Sequence, residues 1–200
     1  MWSWDITYLR ASVRGTFYYL YMALDIWSRK IVGWAVHGEE SMDHASALVT
    51  KACADERVVR TGLVLHSDNG GPMKGATLQR LGIAPSFSRP SVSDDNAICE
   101  ALFRTLKYRD PRKPFASLDE ATRWVTAFVA WYNGEHLHSA LRYVTPNDRH
   151  ARRDTAILSK RRRLYSEAKK ATPRRWSRDI RNWSPIGDVV LNPQRISQAA

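Results

Sequence analysis

Apolar and polar positions alternate from the first residues, Trp2-Ser-Trp-Asp5-Ile-Thr-Tyr-Leu9, with Trp4, Ile6 and Tyr8 on one side and Ser3, Asp5 and Thr7 on the other. The period is that of a strand. A turn at Arg14-Gly15 leads to Phe17–Ile26, and the short link Trp27-Ser-Arg29 leads to Lys30–His37, so the pattern predicts a three-stranded antiparallel meander. The period then changes to that of a helix: Ser41 caps a segment in which Ala45, Leu48, Val49 and Ala52 recur on one side. Leu63–Asp68 reads as a short buried strand running into a turn at Asn69-Gly70. A short helix near 75–82, a brief strand at 84–88 and a loop at 89–94 precede a helix that starts from capping residues at Ser93–Asp95 and runs past Lys107. On that helix Asn96, Glu100, Arg104 and Lys107 share one stripe, while Ile98, Ala101, Leu102, Thr105 and Leu106 lie opposite. Ser117-Leu-Asp-Glu120 is a capping box for a helix carrying Ala121, Val125, Phe128, Val129 and Tyr132, and Thr145-Pro146 caps another. Val189–Leu191 is at most one strand or a docking segment.

Charge adds a partner to this picture. With 31 Lys and Arg against 20 Asp and Glu in 200 residues the chain carries a net +11, which points to a polyanion. Twelve basic against three acidic residues between Ala151 and Arg181 place +9 of it there. Arg161, Arg162, Arg163, Lys169 and Lys170, interleaved with Leu164, Tyr165 and Trp176, read as a phosphate-tracking DNA arm. Cys53 and Cys99 fit no metal spacing and read as reduced thiols, and His136 and His138 lack the partners of a zinc module. No apolar run approaches a membrane span and no signal-peptide pattern opens the chain, so a soluble, cytoplasmic protein with no membrane partner is expected.

The chemistry concentrates in three carboxylates. Asp5 lies in an aromatic-rich strand, where a carboxylate is costly unless paired or bound to a cation. Asp68 ends a strand, where open α/β sheets collect ligands, and Glu100 faces outward among cations. Asp25 reads as a turn-stabilising carboxylate; His66 points the same way as Asp68.

The blocks WDITYL, HSDNG and DNAICEALFRTLK, followed by WYNGEHLHSALRYVTP, resemble the DDE integrase-core transposases of bacterial insertion sequences (the IS-three type), relatives of retroviral integrases. The resemblance covers nearly the whole chain. It implies an α/β fold of the ribonuclease-H-like type: a mixed five-stranded sheet flanked by helices over residues 1–150, with a basic, mainly helical C-terminal extension over 151–200. It further implies that Asp5, Asp68 and Glu100 are both catalytic residues and ligands of two Mg²⁺ ions (Mn²⁺ as substitute) about 3.5 to 4 Å apart. Lys107 matches the family's phosphate-holding basic residue, and Arg104 stands beside it. The implied reaction is metal-dependent DNA strand cleavage and strand transfer, with transposon ends and target DNA as partners and a homo-oligomer on DNA. His136 stands where the family more often has Arg; both histidines read as structural hydrogen-bonding groups. The chain begins four residues before Asp5, without the helix-turn-helix that family members use to find their ends. Thirty-one residues separate Asp68 from Glu100, four fewer than is usual in the family, close to one helical turn and placed near residues 75–82. Two alternatives follow: a catalytically disabled, DNA-binding transposase remnant, and a metal-dependent nuclease that only hydrolyses.

Overall fold

In a computed structural model of the protein, residues 1–68, 75–89, 96–109 and 113–191 are described. Strand β1 (Trp2–Arg10) lies at the centre of a sheet of order β3-β2-β1-β4-β5. It pairs antiparallel with β2 (Phe17–Asp25), which pairs antiparallel with β3 (Ile31–His37), as the meander pattern predicts. On its other side β1 runs parallel to β4 (Val64–Ser67), and β4 parallel to β5 (Ala84–Phe87). The parallel pairing requires a crossover, which α1 (Met42–Asp55) supplies; Ser41 Oγ accepts the Asp43 N–H at 3.1 Å to cap it.

Both faces of the sheet are covered, so β2 reads as an almost continuous apolar run. Trp2, Trp4, Tyr21, Ala23 and Leu65 pack under α1 through Leu48, Val49 and Ala52. Leu9, Leu20, Met22 and Leu24 pack under α3 (Ala97–Arg109) and α4 (Leu118–Gly134) through Leu102, Leu106, Val125 and Phe128. Gly33 permits the close approach of α1 to β3: a Cβ there would lie 2.9 Å from Ala52 Cβ. At the outer edge of β3, the Asn133 side chain of α4 accepts the Ile31 N–H and donates to the Ile31 carbonyl, both at 2.9 Å, taking the place of a neighbouring strand. Ser117 Oγ accepts the Glu120 N–H at 3.1 Å, but the Glu120 carboxylate reaches back to the N–H of Ala116, one residue before the partner that a capping box prescribes.

A second, small core holds the chain beyond α4. Leu141, Val144, Leu158 and Trp183 bury one another between α5 (Pro146–His150), α6 (Asp154–Ala171) and the following segment. Arg149, 2% exposed, donates to Asp154 at 2.5 Å and to the Ile186 carbonyl at 2.7 Å, and lies over the Trp27 ring at 4.1 Å. Val189–Leu191 forms no strand. Asp25, expected as a structural carboxylate, accepts from the Ser28 hydroxyl at 2.6 Å and the Ser28 N–H at 2.9 Å. Burial alone would raise it; the hydrogen bonds from His150 and Ser28 outweigh that and hold it below the ordinary Asp value. Among the described residues no helix is long and apolar enough to cross a membrane.

Candidate active site at the end of the central strands

The register brings the first two carboxylates together. Ser3 of β1 pairs with His66 of parallel β4, so two residues further on Asp5 stands abreast of Asp68, one residue past the end of β4. Asp5 Oδ1 accepts the N–H of Ile6 at 2.8 Å, and Asp68 Oδ1 accepts the Ser88 hydroxyl at 2.7 Å from just beyond β5. His66 is 3% exposed, with Nδ1 3.0 Å from Ser86 Oγ, a bridge between β4 and β5.

Glu100 is delivered by the first turn of α3, and a buried polar lock sets that turn on β1. The Ser3 hydroxyl donates to Asn96 Oδ1 at 2.6 Å, the Cys99 thiol donates to Ser3 Oγ at 3.2 Å, and Asn96 Nδ2 donates to the Trp4 carbonyl at 3.5 Å. Ser3, Asn96 and Cys99 are each 0% exposed. Burial pushes the Cys99 thiol up to about 12, so it stays a protonated donor. Asn96 therefore does not join the outward stripe expected for it; its amide turns inward because the Ser3 hydroxyl and Trp4 carbonyl need partners in the core. The stripe that remains, Glu100, Arg104 and Lys107, is exposed and lines, with Phe103 and Tyr108, a cleft of about 390 Å³.

The electrostatics couple these groups. Burial raises Asp5 to about 6; the Ile6 N–H opposes this, the negative fields of Asp68 and Glu100 add to it, and Lys107 opposes it again. Among the described residues no three His, Cys, Asp or Glu side chains stand close enough to hold a metal ion together. The chemistry of the donor set nevertheless fits a hard divalent cation: oxygen ligands only, with one carboxylate raised first by burial and then by the charges of the other two, both of which a cation would offset. The expected turn at Asn69-Gly70, the capping residues Ser93–Asp95 and most of the loop at 89–94 lie outside the described residues. The shortened interval retains a helix, α2 (Gly75–Arg80).

The basic positions of the extension fall into two groups. Arg161 is turned inward, donating to the carbonyls of Arg142 and Tyr143 at 3.0 and 2.8 Å, and Lys169 pairs with Asp179 at 2.6 Å. Arg162, Arg163 and Lys170 are exposed. His136 and His138 pack against Tyr132 at 5.3 and 6.2 Å; burial first, then His136 and Arg29, depress His138 to about 4, and its Nδ1 accepts the Ala140 N–H. His138 thus makes a hydrogen bond of the kind expected for it, and His136 makes ring contacts with Trp131 and Tyr132.

Two family models match, each described as an integrase core domain, over residues 1–93 and 81–146. The chain is 32% identical over 156 residues to the transposase for insertion sequence element IS904 of Lactococcus lactis subsp. lactis (strain IL1403), an alignment covering 74% of the chain and 60% of that relative. It is 31% identical over 110 residues to the transposase InsF for insertion sequence IS3A of Escherichia coli (strain K12), covering 53% and 37%. The chain thus spans less than two thirds of the length of either relative. Among solved structures, a simian T-cell lymphotropic virus intasome in complex with PP2A regulatory subunit B56 gamma matches at TM-score 0.59 and 18% identity, over 74% of this chain and 53% of that one. The HTLV-2 integrase catalytic core domain in complex with magnesium (trimeric form) matches at TM-score 0.50 and 18% identity, over 74% and 94%. At such identities these two likenesses speak for the ribonuclease-H-like fold alone.

Proposed function

The chain belongs to the integrase-core family, with the IS3-type transposases of insertion sequences, and on that footing we propose that it cleaves DNA strands and joins the freed ends to other strands. The observation that carries this reading is the register that sets Asp5, within β1, abreast of Asp68 at the end of β4, with α3 locked onto β1 and Glu100, Arg104 and Lys107 lining one cleft on its exposed face. Three carboxylates beside a lysine suit a phosphodiester substrate brought in with divalent cations.

Asp5, Asp68 and Glu100 would hold the ions, Mg²⁺ with Mn²⁺ as substitute and two in number, with Asp5 between the other two. When bound, such ions lower the pKa of an attacking water or hydroxyl and stabilise charge on the attacking and leaving oxygens. The protein's own part is positioning. Ser88 fixes the rotamer of Asp68, the Ile6 N–H fixes Asp5, and the lock of Ser3, Asn96 and Cys99 fixes the helical turn that carries Glu100. Lys107 and Arg104, on the exposed face of α3, would hold phosphates of the strand leading into the site. The core, residues 1–150, would perform the chemistry and the extension, 151–200, would track the backbone through Arg162, Arg163 and Lys170, with Arg161 and Lys169 holding the extension in shape. The HTLV-2 neighbour is described with magnesium and in a trimeric form. A homo-oligomer on DNA is the corresponding reading here, because joining brings transposon ends and target together. Its relatives being bacterial insertion-sequence transposases, the protein would act in the cytoplasm.

The test is a joining assay on branched oligonucleotides mimicking a transposon end fused to target, with Mg²⁺ or Mn²⁺, using the chain and its Glu100→Gln variant. Joined products that vanish in the variant support the reading. Cleaved products without joining identify a nuclease, and metal-independent binding with neither product identifies a DNA-binding remnant.

A further inference from the structure

We infer that the exposed sheet face carrying Tyr8, Phe17 and Tyr19 is a platform on which unpaired bases of a DNA strand stack. The inference rests on the reading that the protein acts on DNA, and adds a surface and a strand form to it.

The platform arises because β1 outruns β4. The two strands pair at Trp2 and Ser3, whereas β1 continues to Arg10, paired with β2 as far as Phe17. The β1–β2 ribbon therefore projects past the end of β4, beyond the level of Asp68. Tyr8 lies three residues from Asp5, about 10 Å along the strand and on the opposite face of the sheet.

One face of this projection is closed and the other open. On the closed face Leu9 is buried with Phe115, whose N–H donates to the Arg10 carbonyl and whose carbonyl accepts from Ser12, each at 2.9 Å. On the other face α1 covers Trp2, Trp4 and Tyr21, and the aromatic rows continue outward past that cover. Tyr8 pairs across the strands with Tyr19, and Arg10 with Phe17. Tyr8 is 55% and Phe17 44% exposed, far beyond the rest of the aromatic row.

The rings are already ordered. Tyr8 meets Tyr19 and Phe17 edge to face at 5.4 and 5.9 Å. Through the register Tyr19 ↔ His37 the row crosses to β3, where the His37 ring lies on that of His44 at 3.6 Å. Rigid aromatic surface of this kind binds bases at small entropic cost.

Charge selects the partner. No Asp or Glu occurs between Asp5 and Asp25, and Arg10 and Arg14 are exposed around the ribbon's tip, while the carboxylates Glu39 and Glu40 stand at the far end of the row, beside His44 and Tyr21. A basic rim around exposed rings complements a polyanion with accessible base faces. A duplex hides those faces in its own stack, so the occupant is a single strand or a frayed end.

The experiment measures affinity of the full chain for a labelled oligothymidine strand and for a random-sequence duplex, in EDTA so that the carboxylate site contributes no metal bridge. The variants are Tyr8→Ala, Phe17→Ala, their combination, and Tyr8→Trp. All change exposed side chains, and far-ultraviolet circular dichroism confirms folding; if the double variant fails to fold, the single variants and Tyr8→Trp carry the comparison. The expected result is at least about a fivefold loss of single-strand affinity in the double variant, with duplex affinity unchanged and Tyr8→Trp at or above the parent. Equal single-strand binding by parent and double variant overturns the inference, as does a parent that binds only duplex. So does a double variant whose sole change is a shift from dimer to monomer in sedimentation, which would make the face a contact between copies. A parent that binds neither form sinks the DNA reading itself.

Discussion

Replacing Asn96 with Leu keeps the branched outline of the side chain, at a larger volume, and removes the hub of the lock that seats α3 on β1. The Ser3 hydroxyl, 0% exposed, then loses its acceptor at 2.6 Å, and the Trp4 carbonyl loses a weak donor at 3.5 Å. An unsatisfied buried hydroxyl costs about 1–3 kcal/mol, and the long second bond adds little, so a loss of about 2 kcal/mol is expected in urea unfolding followed by fluorescence. Ser3→Ala removes the stranded donor as well, and the double variant should therefore be more stable than the sum of the two single losses, with a coupling of about 1 kcal/mol. The functional readout is separate. Because the lock positions the turn carrying Glu100, Asn96→Leu should weaken Mn²⁺ binding and raise the metal concentration for half-maximal joining, while Asn96→Asp, which retains an acceptor for Ser3, should restore part of the stability. Additive losses in Ser3 and Asn96, or an Asn96→Leu variant with unaltered metal requirement, would refute the reasoning.

Asp5→Asn should stabilise the metal-free protein at neutral pH. The folded-state pKa of Asp5 is raised to about 6 from 3.8, so the folded state binds more protons than the unfolded between those values and stability falls as pH rises through that window. Removing the charge should therefore gain on the order of 2 kcal/mol at pH 7.5 and nothing at pH 3, measured by urea midpoints in EDTA. Gly33→Ala sets a Cβ 2.9 Å from that of Ala52 and should cost about 1–3 kcal/mol in thermal unfolding, with partial rescue by Ala52→Gly; neutrality would show that α1 is free to shift. Lys107→Ala should weaken duplex binding uniformly across sequences and reduce the slope of log affinity against log salt by about 1, and an unchanged slope would remove Lys107 from the phosphate contacts.

Much of this was legible in the chain because the signals were local. The alternation at Trp2–Leu9, the helical spacing of Ala45, Leu48, Val49 and Ala52, and the Thr145-Pro146 cap report directly on strand, helix and boundary. Parallel pairing of β1 with β4 followed only once the crossover helix was granted. What periodicity left out was direction set by tertiary partners. Asn96 shares a helical stripe with Glu100, yet its amide turns inward because Ser3, 93 residues earlier, presents a buried hydroxyl. Ser88 gave no signal at all, since its role depends on β5 ending beside Asp68. In the extension, charge density alone cannot separate Arg162 and Arg163, which face solvent, from Arg161, which ties α6 to the carbonyls of Arg142 and Tyr143. The trace that was available is the apolar company at Ile157, Leu158, Ile180 and Trp183, the spacing of a small core and not of a free arm.

The account turns on Asp5, Asp68 and Glu100 acting as one cation site, and Mn²⁺ binding followed by electron paramagnetic resonance, without DNA, addresses that directly. The account predicts binding by the parent chain, weakened at least about tenfold in Asp5→Asn, Asp68→Asn and Glu100→Gln alike. Binding that is absent in the parent, or that survives any of the three substitutions unchanged, would contradict it.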